Sequence, residues 1–284
     1  MQQLDTRAQS IVAELREDLQ SGATELARKT LDQVLAYLDR EQPDTGTLRT
    51  LLSELQRARP SMIVIGNALA RIKQRGSAEP DAVREAIIDI RAQLRDATGA
   101  MARHALQELP DTPVIMTHSA SSAVLALFRS LAKDKKPFSV ICTQSSPGFE
   151  GHTLASALNG LSVPVTLITD AQMALFVGQA DVVVTGCDTW FADGWLINKS
   201  GTHLLALAAR ASGTPFWVLA DSFRNSDADP ASVILEEMPG DELRAPSGRW
   251  ITTRNVYFEL IPRGLVSRRI SEQGVSSCPV GPRP

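Results

Sequence analysis

The hydrophobic period changes once along this chain, at Pro110-Asp111-Thr112-Pro113, and that change limits the fold more than any other feature. Before it, apolar residues recur at three- and four-residue steps: Val12, Leu15, Leu19; Leu31, Leu35, Leu38; Leu48, Leu51, Leu52, Leu55; and Val83, Ile87, Ile90, Leu94. Such stripes give a helix one buried face, so residues 1–109 predict a helical domain. Asp44 reads as a helix cap, and Gln74-Arg75-Gly76-Ser77 as a turn between helices. The prolines end the last helix, because proline lacks the helical donor and restricts the residue before it.

After Pro113 the apolar residues gather into short runs: Val114–Thr117, Phe138–Cys142, Val165–Ile168, Val182–Val184 and Phe216–Leu219. Each is followed by small polar residues or glycine and then a helical stretch. This alternation predicts an α/β domain over residues 110–275, a Rossmann-like, doubly wound, mostly parallel sheet whose strands are buried on both faces. Trp195-Leu196-Ile197, after Ala192-Asp193-Gly194, reads as an added hairpin, Thr252–Leu260 as a last strand, and residues 276–284 as a disordered tail.

Composition removes several classes of function. A chain of 284 residues, 43% of them hydrophobic, buries core enough for one large or two modest domains. With 29 Lys and Arg against 32 Asp and Glu, nothing asks for a nucleic-acid or membrane surface. Cys142, Cys187 and Cys278 are odd in number and lack metal-binding spacing, so neither a disulfide framework nor a metal is expected. No phosphate-loop or dinucleotide glycine pattern occurs, and no cofactor is expected. Met1-Gln2-Gln3-Leu4-Asp5 lacks the basic head and apolar run of a signal peptide, so the expected location is cytoplasmic.

Ligands of open α/β sheets sit beyond the carboxyl ends of the strands. The segments there are His118-Ser119-Ala120-Ser121-Ser122, Thr143-Gln144-Ser145-Ser146, Thr169-Asp170, Gly186-Cys187-Asp188 and Asp221-Ser222. Ser121 and Ser122 stand at a strand-to-helix junction, which suits either a phosphate on the helix N-terminus or a plain N-cap. Asp188, between a strand and a tryptophan-containing hairpin, is a candidate general acid or base; the commoner role for a lone aspartate is a turn. Asn198-Lys199-Ser200-Gly201-Thr202 reads as a helix start, with Lys199 offering a charge to phosphate. His118 has the chemistry of a proton shuttle, although a strand-end histidine is more often structural. A thiol at Cys187 would be poorly activated beside Asp188.

Several motifs in order resemble one superfamily, from about Arg59 to Gly274. They are Arg59-Pro60-Ser61-Met62, Gly66-Asn67-Ala68, Met116-Thr117-His118-Ser119-Ala120-Ser121-Ser122 and Thr143-Gln144-Ser145-Ser146-Pro147-Gly148-Phe149-Glu150-Gly151. Gly186-Cys187-Asp188, Ile197-Asn198-Lys199-Ser200-Gly201-Thr202 and Thr253-Arg254-Asn255-Val256-Tyr257-Phe258-Glu259 follow. The superfamily comprises the alpha, beta and delta subunits of eukaryotic initiation factor 2B, ribose-1,5-bisphosphate isomerase and methylthioribose-1-phosphate isomerase.

The resemblance implies an aldose-ketose isomerase acting on a C1-phosphorylated pentose of the ribose-1,5-bisphosphate type, with Asp188, Ser119 and His118 as catalytic groups. Arg59, Ser121, Ser122, Gln144, Ser146, Asn198 and Lys199 would bind the substrate. The isomerases carry a catalytic cysteine where this chain has Ser119, and an arginine where it has Ser146; a serine exchanges protons poorly at neutral pH unless a neighbour such as His118 assists it. The same replacements fit a second reading, a non-catalytic regulatory or initiation factor 2B subunit-like binding protein. Either way the implied partners are a phosphorylated sugar and further copies of the chain, as a homodimer or larger homo-oligomer, with Arg254–Val266 as the candidate contact.

Overall fold

In the computed structural model, which describes residues 3–18, 21–59, 62–75, 79–235 and 237–278, the chain divides into two units, Met1–Ala97 and Thr98–Pro284. The first unit contains α1 (Thr6–Glu17), α2 (Ala23–Glu41), α3 (Thr45–Ala58), α4 (Ile63–Gln74) and the start of α5 (Pro80–Glu108). Asp5 caps α1 by accepting from Ala8 N, and Asp44 caps α3 by accepting from Thr47 N at 2.7 Å. Pro80 opens α5, where its missing N–H costs nothing. The striped residues Leu31, Leu48, Leu51, Leu52, Leu55, Val83, Ile87, Ile90 and Leu94 are buried as expected. In α2, however, Val34 rather than Leu35 fills the core beside Leu38. Leu19 and the turn residues Gly76 and Ser77 lie outside the described residues.

The second unit is built on a seven-stranded sheet of order β11-β10-β7-β4-β1-β2-β3. Its first strands and helices are β1 (Val114–Thr117), α6 (Ser122–Lys133), β2 (Ser139–Thr143), α7 (Glu150–Gly160), β3 (Val165–Ile168), α8 (Met173–Phe176) and β4 (Val182–Thr185). The hairpin β5 (Thr189–Phe191) and β6 (Leu196–Lys199) follows, then α9 (Thr202–Ser212), β7 (Phe216–Leu219), β8 (Asn225–Ser226), β9 (Phe258–Ile261), β10 (Arg268–Ser271) and β11 (Gly274–Ser277). All pairings in the large sheet are parallel except β10 with β11. Every residue of β4 and β7 is buried, as the uninterrupted apolar runs require. One core packs Leu127, Phe128 and Leu154 against one set of strand residues, and another packs Leu205, Ala206 and Ala209 against a second set.

Three sequence expectations need correction. Asn198 and Lys199 end β6 instead of starting a helix, because their backbone pairs with β9; α9 begins at Thr202. The strand expected at Thr252–Leu260 is confined to Phe258–Ile261, with Val256 in an isolated bridge to Glu237. Nor is it the last strand. β10 escapes an apolar-run search because Arg268 and Arg269 cover the tryptophans Trp217 and Trp190 with their guanidinium planes, at 5.2 and 4.7 Å from the ring centres. Of the expected tail, Ser276 and Ser277 belong to β11, and residues from 279 onward lie outside the described residues.

The chain winds from β1 to β2 and β3 in one direction, then returns to place β4 on the other side of β1. The loops after β1 and β4 therefore part at the switch point of the sheet, where open α/β folds have their binding crevice. β5, β6, β8 and β9 form a second sheet of order β8-β5-β6-β9, whose β5–β6 hairpin directly follows the β4 loop.

Candidate functional site

The loop after β1 is held by a chain of hydrogen bonds. His118 is only 2% exposed. Its Nε2 lies 2.8 Å from Ser200 O, and a carbonyl only accepts, so Nε2 carries the proton. Nδ1 is then the acceptor for Thr143 Oγ1 at 2.6 Å, and Thr143 Oγ1 in turn lies 3.1 Å from Ser145 Oγ. Ser145 Oγ accepts from Ser119 N at 2.8 Å. Asp170 receives Ser145 N and Ser146 N, one on each carboxylate oxygen, at 2.9 and 2.7 Å. Burial pushes the His118 pKa below its ordinary value against the opposing pull of Ser200, Asp170 and Glu150. The imidazole is thus neutral and fully bonded, which leaves neither nitrogen to activate Ser119.

Two serines in these loops adopt left-handed backbone, Ser119 at φ 62° and Ser145 at φ 60°. Non-glycine residues there cost about 1–3 kcal/mol each, which the hydrogen-bond chain must offset. Gly201 (φ 104°) is needed for space as well, since a Cβ would stand 2.8 Å from the His118 ring.

Ser121 caps α6, its Oγ 3.5 Å from Val124 N, while Ser122 is the first, exposed residue of the helix. A Cβ on Gly186 would collide with Ser121 Oγ, so the glycine lets the β1 and β4 loops meet at the switch point. Asp188 is next to that meeting place and is half-buried. Its N–H bonds Ile197 O, and among the described residues its carboxyl oxygens take no hydrogen bond or ion pair. Burial raises the Asp188 pKa; the charges of Arg224 and Lys199 act the other way and do not cancel it. A carboxyl so placed keeps its proton to higher pH than a free aspartate does, which suits a general acid or base.

Lys199 is 5% exposed, not a solvated surface group. Its Nζ donates to Glu150 Oε1 at 2.5 Å and sits 3.5 Å from the centre of the Tyr257 ring. Tyr257 OH bonds Glu242, which also accepts from Asn255 Nδ2. Asn198 is committed to the strand-helix junction, donating to Thr202 Oγ1 at 2.9 Å. Glu259 closes the start of α9 by accepting from Gly201 N and His203 N at 2.7 and 2.8 Å.

Of the other residues singled out from sequence, Gln144 is held by backbone bonds to Ile168 and Gly151, and Ser146 is exposed. Arg59 belongs to the first unit, where Nη1 donates to Asp18 O at 2.8 Å. Cys187 is buried and its thiol pKa is pushed up, chiefly by burial, so it is an inert core residue. Glu150, Tyr257 and Glu259 stand in the sequence motifs without an assigned role, and Arg224 stands in none of them. Arg224 had one local cue, three residues beyond the strand-end Asp221, whose carboxylate its Nε approaches at 3.6 Å.

A model described as the Initiation factor 2 subunit family matches residues 19–278. A translation initiation factor eIF-2B subunit 2-like protein of Pyrococcus abyssi is 34% identical over 278 residues, 96% of this chain and 97% of the relative. Ribose 1,5-bisphosphate isomerase of Archaeoglobus fulgidus is 28% identical over 264 residues, 89% of this chain and 84% of that protein. Among solved structures, translation initiation factor eIF-2B of Pyrococcus horikoshii OT3 superimposes with a TM-score of 0.86 at 31% identity, covering 99% of both chains.

Proposed function

Since this chain belongs to the Initiation factor 2 subunit family, we propose that it binds a phosphorylated sugar between the β1 and β4 loops and isomerises it. The substrate class is a C1-phosphorylated pentose, to which ribose 1,5-bisphosphate belongs. The observation carrying this reading is Asp188, a half-buried carboxyl of raised pKa with no internal partner among the described residues, beside the switch point. A C1 phosphate locks the sugar ring, so isomerisation needs a proton delivered to the ring oxygen and a hydrogen moved between C2 and C1. Asp188 suits both steps, as acid in the first and base in the second. Ser119, lacking a base, binds the sugar through its hydroxyl, and His118 positions the loop. Ser121, Ser122 and the α6 N-terminus receive phosphate, with Gln144, Ser146, Asn198 and Lys199 as further groups that meet the sugar.

The full bonding of His118 favours a second reading, a regulatory protein that senses the sugar without converting it. Turnover separates the two. Wild type converting a C1-phosphorylated pentose, with Asp188→Asn binding it but inactive, supports the isomerase. Activity created only by Ser119→Cys supports the sensor, because a thiol restores the missing proton-exchange group. Absence of any thermal shift with millimolar pentose and hexose phosphates would sink both readings.

The reading includes a cytoplasmic homo-oligomer; no helix among the described residues is long and apolar enough to cross a membrane. The Arg254–Val266 stretch is a poor contact, because Ile261, Leu265 and Val266 are buried within the unit. Leu175 on α8 and Leu204 on α9, 69% and 66% exposed, are better candidates. Light scattering at the 30.7 kDa monomer mass would remove this part.

A further inference from the structure

We infer that the site is built for a sugar carrying one phosphate and uncharged hydroxyls elsewhere, and that Glu150 rejects a second phosphate. The inference rests on the sugar-phosphate reading above and sharpens its substrate class. Its starting point is Glu150 Oε2, a buried oxygen with no hydrogen-bond partner among the described residues. A buried acceptor left unpaired is costly, and a carboxylate oxygen needs a donor. A sugar hydroxyl supplies one and a phosphate dianion does not.

Two positive features beside Glu150 that would attract another phosphate are already answered by carboxylates. Lys199 is paired with Glu150 and the α9 N-terminus with Glu259. The Asp170 carboxylate lies at the strand ends as well. The α6 N-terminus differs, since its cap is the neutral Ser121 hydroxyl at 3.5 Å. One anion fits there. A second phosphate would bring roughly 1.5–2 further negative charges toward carboxylates, and like charges in an interface are strongly rejected.

The test is calorimetric titration of the full chain with ribose 1-phosphate, ribose 5-phosphate and ribose 1,5-bisphosphate, for wild type and Glu150→Gln. Wild type should bind its preferred monophosphate at least about tenfold more tightly than the bisphosphate. Glu150→Gln retains an oxygen for Lys199 and removes the charge, so it should narrow that ratio to about threefold or less, mainly by tightening the bisphosphate. Wild type binding the bisphosphate as tightly as either monophosphate overturns the inference and leaves the sugar-phosphate reading standing. An unchanged ratio in Glu150→Gln overturns the role of Glu150. If none of the three sugars binds, the pentose phosphate reading fails and takes the inference with it.

Discussion

The two sides of the switch point satisfy their polar groups in opposite ways. On the β1–β2–β3 side, His118, Thr143, Ser145 and Asp170 are bonded to one another and to backbone, and two serines are held in left-handed conformations. On the β4–β6 side, Asp188 has no internal partner among the described residues, and Lys199 reaches across from β6 to Glu150 at the start of α7, whose other oxygen is buried without a hydrogen bond among those residues. A closed network holds a shape, whereas open valences hold a ligand. On the proposed function, the contrast divides scaffold from ligand-facing groups, and mutations on the two sides should differ in kind.

The largest effect belongs to the closed side. His118→Ala removes a buried ring and strands Thr143 Oγ1 and Ser200 O, and should cost about 3 kcal/mol of folding stability in urea denaturation. A loss under about 1 kcal/mol would mean the network is loose and the division between the sides false. The network should also be sensitive to acid. Because the folded-state pKa of His118 is depressed, the folded chain resists a proton that the unfolded chain accepts near pH 6.5. That contribution is present above about pH 6.5 and is lost as pH falls toward the folded value. His118→Gln should flatten this part of the stability profile between about pH 7.5 and 5.5.

The open side should respond in the reverse direction and more weakly. Asp188 has a raised folded pKa, so its contribution is complete below the unfolded value, near pH 3.8, and is lost as pH rises through the folded one. Asp188→Asn removes that penalty. The variant should gain on wild type as pH rises and, on the isomerase reading, lose turnover. A variant that loses both stability and activity at neutral pH would place Asp188 in the scaffold instead.

What could be read from sequence follows the same division. The strands β1, β2, β3, β4 and β7 were legible as apolar runs, and the caps Asp44 and Ser121 as short-range signals. Asp188 and the serines were legible because they directly follow strands. The pairing of Lys199 with Glu150 was not, since it joins residues 49 apart through packing that no local pattern encodes. The occupation of both His118 nitrogens was hidden for the same reason: one partner is 25 residues away and the other 82. β10 was hidden differently, by arginines doing the covering work that apolar side chains do elsewhere.

The smallest expected effect tests whether the open side has any rigid part at all. Tyr257 does two things: its ring covers the Lys199 ammonium, and its hydroxyl bonds Glu242. Burial, then Glu242, raises its pKa, so the hydroxyl is a protonated donor at neutral pH. Tyr257→Phe keeps the ring and deletes only the donor. Glu242 is half-buried and retains Asn255 Nδ2, so water and that amide can take over the lost bond. The expected cost is therefore about 0.5–1 kcal/mol, with the monophosphate-to-bisphosphate ratio unchanged because Lys199 keeps both the ring and Glu150. A cost above about 2 kcal/mol would show that the Glu242 contact is part of a second closed network, and the two sides would then differ in composition but not in kind.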